Sequence, residues 1–302
     1  MPSIGWIDIV SAKYGASAYE DMAKSALSKK FDLELVDVKT KHFKRGYFRA
    51  PEILFNLINL KGKKDLWIRG FYPMMTLPFN RTKGKNLVII HHIDFSQSSG
   101  FAKIIDFIIE NIARLSIKKA DFIVTVSEYW KQYFLDRGFK NVYKIYNSFK
   151  LDDFNISDEE AELFKKKYNL SDKPIVYLGN CQKDKGVIES YDALKYLDVH
   201  LVTSGEPFCQ LPALNLKVEY RDYLRLLKSS SVVLSMSKVN EGWGRTCHEA
   251  MLLKRPVIGS GRGGMRELLE GGGQIVCQDF SSLKKNVEHL LTNAKERTER
   301  GE

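Results

Sequence analysis

Glu241 and Glu249 close a nonapeptide, Glu241-Gly242-Trp243-Gly244-Arg245-Thr246-Cys247-His248-Glu249, whose residue types suit the binding of an anion that carries hydroxyls. The apolar run Val232-Val233-Leu234-Ser235-Met236 precedes it and reads as a buried strand. Ala250-Met251-Leu252-Leu253 follows and reads as a helix that stops at Arg255, before Pro256. A strand, a glycine turn and a helix start aim backbone N–H groups and the positive end of a helix dipole at an anion. Gly242 and Gly244 let a ligand approach the backbone closely. The two glutamates add acceptors, one on the loop and one about a turn into the helix. Donors for phosphate beside acceptors for hydroxyls suit a sugar nucleotide.

Three further stretches carry chemistry. Gly179-Asn180-Cys181-Gln182-Lys183-Asp184-Lys185-Gly186 follows an apolar strand at 175–178, and Lys185 there reads either as an anion ligand or as a solvated loop lysine. His91-His92-Ile93-Asp94 follows the apolar strand 87–90. Adjacent histidines in a strand point to opposite faces, so the pair makes a poor metal site. No other Glu and His pair has helical ligand spacing, and no metal is expected. Tyr14-Gly15-Ala16-Ser17 follows the first strand, a position where glycine turns are common in α/β folds.

The elements that must hold these residues alternate. Strands are expected at 4–10, 33–38, 65–68, 87–90, 122–126 and 142–146, with a loop at 12–17 and helices at 18–29, 101–118 and 129–136. Ser127 is a plausible cap for the last helix. The amphipathic stretch 101–115 reads as a helix covering a core. Residues 151–173 are polar and charged and read as a connection, with an exposed helix at 158–168. The pattern then restarts with strands at 175–178, 200–203 and 218–220 and helices at 187–197 and 224–229. The charged end, 295–302, is expected to fray. Strands alternating with helices mean a parallel sheet covered on both faces, here twice in tandem.

At 302 residues with 44% apolar content the chain suits two globular domains. No run approaches the ~18 apolar residues needed to span a bilayer, and no secretory leader is recognised. Cys181, Cys209, Cys247 and Cys277 are widely spaced without a Cys-x-x-Cys pair, which fits free thiols in a reducing cytoplasm. The net charge of +10 is compatible with an anionic membrane or a phosphorylated ligand. No nucleic-acid-binding signature is present, and nucleic acid is not expected as a partner. Residues 39–49 interleave Lys39, Lys41, Lys44, Arg45 and Arg49 with Phe43, Tyr47 and Phe48. Such a run suits an anionic membrane surface, and equally a solvated loop with a few core-facing aromatics.

The nonapeptide resembles the signature of retaining glycosyltransferases of the GT-B fold, in particular family 4, where two glutamates eight positions apart flank a Glu-Gly-aromatic-Gly turn. Lys254-Arg255-Pro256-Val257-Ile258 resembles the family's helix end and strand, and Gly263-Gly264-Met265-Arg266-Glu267 its Gly-Gly-x-x-Glu loop. The resemblance covers nearly all of the second domain and the first only loosely. It implies an α/β chain of two Rossmann-like domains with a cleft between them: an acceptor-side domain at 1–150, a linker at 151–173 and a nucleotide-sugar-binding domain at 174–302. It implies transfer of a hexose-type sugar, with retention, from UDP- or GDP-sugar to a glycan or lipid-linked hydroxyl, with neither metal nor cofactor. The expected place is the cytoplasm, with peripheral attachment to the inner face of the membrane left open.

The resemblance also assigns roles. Glu249 would accept bonds from the nucleotide ribose, and Glu241 would contact donor-sugar hydroxyls. Lys185 would grip the diphosphate, and the backbone through Gly242, Trp243, Gly244, Arg245 and Thr246 would stabilise its charge. Gly15 would lie over the phosphates. One of His91 and His92, taken here as His92, would contact the transferred sugar, so that His92, Glu241 and Lys185 form the catalytic set. Asn180 stands where the family has arginine, which removes one charge-assisted contact. Lys183 or Arg245 could replace it, and spacing does not decide between them. A sugar-nucleotide epimerase of GT-B-like fold, or a partner subunit that has lost catalysis, are the competing readings.

Overall fold

Parallel strands buried on both faces need apolar runs, and residues 67–68, 88–90, 123–124, 175–178 and 232–234 supply buried runs of this kind. A computed structural model describes residues 1–9, 15–38, 40, 49–94 and 100–302. The chain divides into two units, Met1–Ser148 and Phe149–Glu302.

In the first unit the strands are β1 (Ser3–Asp8), β2 (Asp32–Asp37), β3 (Lys61–Arg69), β4 (Arg81–Ile90), β5 (Phe122–Thr125) and β6 (Val142–Lys144). Among the described residues they pair in parallel in the order β2-β1-β3-β4-β5-β6. The helices are α1 (Gly15–Ser28), α2 (Arg49–Asn59), α3 (Phe71–Met74), α4 (Phe101–Ile117) and α5 (Glu128–Leu135). Val88 and Ile90 of β4 pack with Ala113 and Ile117 of α4 and with Trp130 and Phe134 of α5. Ser127 caps α5 as expected, its hydroxyl accepting from Trp130 N at 3.4 Å.

Two expectations change in this unit. Residues 15–17 open α1 rather than closing a loop, in keeping with the helix propensity of Ala16 and Ala18. The second change concerns α4, which seats a narrow line on the core, with Ala113 and Ile117 buried. Six of its larger apolar side chains point outward: Ile104, Ile105, Phe107, Ile108, Ile112 and Leu115 are all exposed. Tyr14 and the basic, aromatic run 39–49 (apart from Thr40 and Arg49) lie outside the described residues.

The second unit contains β7 (Ile175–Asn180), β8 (His200–Ser204), β9 (Leu214–Leu216), β10 (Val232–Ser235), β11 (Val257–Gly259) and β12 (Ile275–Val276). Among the described residues these pair in parallel as β9-β8-β7-β10-β11-β12. Its helices are α6 (Asp158–Lys167), α7 (Val187–Leu194), α8 (Tyr220–Ser229), α9 (Arg245–Leu252), α10 (Met265–Gly271), α11 (Leu283–Thr292) and α12 (Ala294–Glu299). Val176, Leu178, Val232, Leu234 and Ile258 from the strands pack with Val187 and Leu194 of α7 and Val287 and Leu290 of α11.

Residues 151–173 fall inside this unit. Ser157 and Glu160 form a capping box at the start of α6, and Ala161 and Phe164 are buried. Glu160 also receives Arg225 at 2.8 Å and Arg221 at 3.2 Å, which ties α6 to α8. The strand expected at 218–220 is instead β9, four residues earlier, and Tyr220 opens α8. The end of the chain is not frayed. Asn293 caps α12 by accepting from Glu296 N at 3.1 Å, and Arg297 bonds the carbonyls of Leu290 and Leu291.

Candidate functional site

Strand order decides where a ligand can sit in the second unit. The chain winds from β7 outward to β9, then crosses back to β10 and winds the other way. The loops leaving β7 and β10 therefore part at the carboxyl ends of two neighbouring strands, which opens a crevice. Asn180 ends β7, and Glu241 follows β10, so both motifs singled out in the sequence belong to this crevice.

Close backbone approach locks the loops together. Gly186 has φ +68°, and a Cβ there would lie 2.2 Å from the Met236 carbonyl oxygen beyond β10. Lys238 N donates to Asp184 O at 2.8 Å across the same gap. Gly263 has φ +64°, and its Cβ would lie 2.4 Å from Glu241 O. Gly264 N donates to Glu241 O at 2.9 Å, so the loop after β11 is fastened too. Only glycine fits such contacts at positive φ.

The fastening brings Lys185 to Glu241, with Nζ 2.6 Å from Oε1. Burial pushes the Lys185 ammonium down, but the adjacent Glu241 carboxylate more than offsets it, and the net direction is upward. Lys185 is thus held as a cation. Asn180 is exposed, and its Oδ1 accepts from Tyr177 Oη at 3.2 Å and Ser204 Oγ at 3.3 Å. Lys183 is exposed on the same loop.

Gly244, at φ +92°, sets the start of α9, whose first turn carries Arg245, Thr246 and Cys247. Glu249 is 3% exposed, one turn in. Its Oε1 receives Arg245 Nε at 2.8 Å and Tyr220 Oη at 3.0 Å, and its Oε2 receives Tyr223 Oη at 3.1 Å. Burial raises the Glu249 pKa, and the Arg245 charge and the tyrosine hydroxyls only partly oppose it. Two carboxylate oxygens hold about four acceptor positions, so Glu249 keeps capacity for a further donor. Tyr223 Oη also lies 3.2 Å from Thr246 Oγ1. Arg245 lies over the Phe149 ring at 4.6 Å, with its Nη1 buried and without a hydrogen-bond partner. Trp243 is buried and donates from Nε1 to His248 Nδ1 at 3.0 Å.

The structure thus gathers Asn180, Lys185, Glu241, Gly242, Trp243, Gly244, Arg245, Thr246 and Glu249 around one crevice of the second unit. Gly15 and His92 belong to the first unit, where Gly15 starts α1 and His92 is exposed beyond β4. His91 differs sharply from its neighbour. Its Nε2 is buried without a hydrogen-bond partner, its ring meets Tyr19 edge-on at 5.0 Å, and burial followed by the charge of His92 lowers its pKa to about 4. Tyr220, Tyr223 and Phe149 went unrecognised in the sequence. The i, i+3 tyrosines ahead of Leu224 and Leu227 were the available helical signal. Among the described residues no group of three His, Cys, Asp or Glu side chains is placed to hold a metal ion.

Residues 158–302 match the family model for glycosyl transferases group 1. The fold is GT-B, two Rossmann-like domains, as solved structures show at low identity. Sucrose-phosphate synthase of Thermosynechococcus elongatus is 16% identical with TM-score 0.78, covering 100% of this chain and 92% of that one. HepE of Anabaena, solved with UDP-glucose, is 15% identical with TM-score 0.76, covering 100% and 93%. A Listeria monocytogenes protein assigned as a UDP-N-acetylglucosamine 2-epimerase is 13% identical with TM-score 0.62, covering 100% and 91%. A search of curated proteins finds no match.

Proposed function

We propose that this chain is a retaining glycosyltransferase of family 4 that moves a hexose-type sugar from a UDP- or GDP-sugar to a glycan or lipid-linked hydroxyl without a metal. The observation that carries the reading is the convergence of Lys185, Glu241 and the start of α9 on one crevice, with Glu249 buried a turn behind. The match of residues 158–302 to group 1 glycosyl transferases supports the reaction class, and the complex of HepE with UDP-glucose supports UDP-glucose as a first donor to try.

Departure of a sugar from a nucleoside diphosphate builds negative charge on the phosphates and positive charge on the ring. Lys185 and the amides of Arg245 and Thr246 meet the former, acting as fixed donors in a shielded site. Asn180 supplies an amide in place of a guanidinium. Glu241 accepts hydroxyls of the sugar, and it hands Lys185 to the phosphate as it does so. Glu249 accepts a ribose hydroxyl through its remaining lone pair. His92 and Gly15 are proposed, by resemblance alone, as contacts to the transferred sugar and the phosphates. With no protein nucleophile assigned, the acceptor attacks the same face that the phosphate leaves, and the leaving phosphate takes the acceptor proton.

Incubation with UDP-glucose or GDP-mannose in EDTA, with and without a panel of glycan and glycolipid acceptors, tests the reading. The expected result is acceptor-dependent release of nucleoside diphosphate and a product whose anomeric configuration, read by NMR, equals that of the donor. Conversion of the donor sugar without any acceptor would point to the epimerase of similar fold. Donor binding without turnover would point to a non-catalytic subunit in which Asn180 has replaced the second phosphate cation.

A further inference from the structure

A soluble helix turns its widest apolar face to the core, and α4 does the reverse. Ile104, Ile105, Phe107, Ile108, Ile112 and Leu115 are between 43% and 67% exposed, whereas the core side is lined by Ala113, Ser116 and Ile117, with Ile109 half-buried beside them. On a 100° helical wheel the six outward residues form one continuous face. Between residues 103 and 117 the face also includes Asn111, and Lys103 and Arg114 border its edge beside Phe107. Tyr72 and Phe79, on the segments packed against α4, are 65% and 64% exposed. Single exposed apolar residues need no explanation, but a contiguous face of this size marks an interaction surface.

Charge identifies the occupant. Of the 47 Lys and Arg and 37 Asp and Glu in the chain, residues 1–148 hold 24 and 14, and residues 149–302 hold 23 and 23. The whole excess of +10 therefore lies on the unit that bears α4. Lys103, Arg114, Lys118 and Lys119 are exposed along the helix and at its end. Of the acidic residues on α4, Glu110 is paired with Arg114 at 2.5 Å and Asp106 is half-buried on the opposite side. An apolar strip edged with cations is the form of a helix that lies in the headgroup layer of an anionic bilayer. No helix among the described residues is long and apolar enough to cross a membrane, so the contact is one of lying on the surface.

We infer that the outward face of α4 is a docking surface for an anionic lipid bilayer. The apolar side chains enter the acyl boundary, and Lys103, Lys118 and Lys119 meet lipid phosphates. This deepens the lipid-linked reading of the acceptor, because it seats the first unit where such an acceptor lies. The surface itself does not depend on the reaction.

The test is co-flotation of the full-length protein with vesicles of phosphatidylcholine alone or with 30 mol% phosphatidylglycerol, with no donor present. The expected result is binding to the anionic vesicles that weakens as salt is raised, and little binding to phosphatidylcholine. Phe107→Glu with Ile108→Glu should reduce partitioning at least tenfold, and Lys118→Glu with Lys119→Glu should reduce it on anionic vesicles only. All four positions are exposed, so the variants should keep the wild-type melting temperature and donor binding. No flotation, or flotation indifferent to all four substitutions, would overturn the inference. So would a dimer in sedimentation that Phe107→Glu converts to monomer, since that would assign the face to a second copy. Donor binding can persist in every one of these outcomes, so failure here leaves the proposed reaction standing.

Discussion

At the scale of single residues, Lys185 and Glu241 do for each other what a substrate would otherwise do. Each is partly buried, at 30% and 14% side-chain exposure, and each faces the opposite charge at 2.6 Å. Removing one partner of such a pair costs more than the pair contributes, so the contact holds both side chains in place at the crevice. Glu249 is held in a different way, by three donors that fix its carboxylate and leave one acceptor position. His91 is the opposite case, a base kept neutral by its surroundings. Its pKa of about 4 lies below the ordinary 6.5, so between those pH values the unfolded chain binds a proton that the folded chain excludes. Stability contributed by this site is complete above pH 6.5, declines as pH falls toward 4 and is lost below, with a ceiling of about 1.4 kcal/mol per unit of displacement. Urea unfolding at pH 7.5, 6, 5 and 4.5 should show that decline, and His91→Asn should flatten it. An unchanged slope in the variant would mean that His91 is not the group responsible.

At the scale of elements, the site is made by glycines that bring three loops into contact. Gly263→Ala places a Cβ 2.4 Å from Glu241 O at a left-handed φ. A cost of at least about 2 kcal/mol is expected from strain and overpacking, together with weakened donor binding. Gly271→Ala meets nothing within 4 Å and serves as the control, with no loss expected. Denaturation midpoints of the two variants check this, and equal midpoints would contradict the role given to Gly263. These glycines were legible in the sequence because positive φ and close approach demand one residue type. The parallel strands were legible because burial on both faces requires unbroken apolar runs, as in β7. The rest depended on partners far along the chain. β9 is three residues at a sheet edge, Leu214 exposed and Leu216 buried, too short to show a period. α12 has no buried side chain and is held by bonds to Leu290 and Leu291 and by Gln274, whose side chain donates to Arg300 O. α4 announced an apolar face, but periodicity does not say whether a face looks in or out. The tyrosines on α8 reach Glu249 from 26 and 29 positions away.

At the scale of the whole molecule, charge is divided unevenly between the two units. The second unit is electrically balanced and carries the crevice with Lys185, Glu241 and Glu249. The first carries the entire positive excess and the outward apolar helix. On the function proposed above, a donor site in a charge-balanced unit draws phosphate by placed groups rather than by net charge, so donor binding should change far less with salt than vesicle binding does. The central claim is that the crevice at the β7 and β10 loops binds a nucleoside-diphosphate sugar. Isothermal titration of the intact protein with UDP-glucose and GDP-mannose in EDTA tests it most directly. One donor should bind at a single site, at least tenfold more weakly in Lys185→Ala and in Glu249→Gln. Binding of neither donor, or binding that both substitutions leave unchanged, would contradict the assignment of the site.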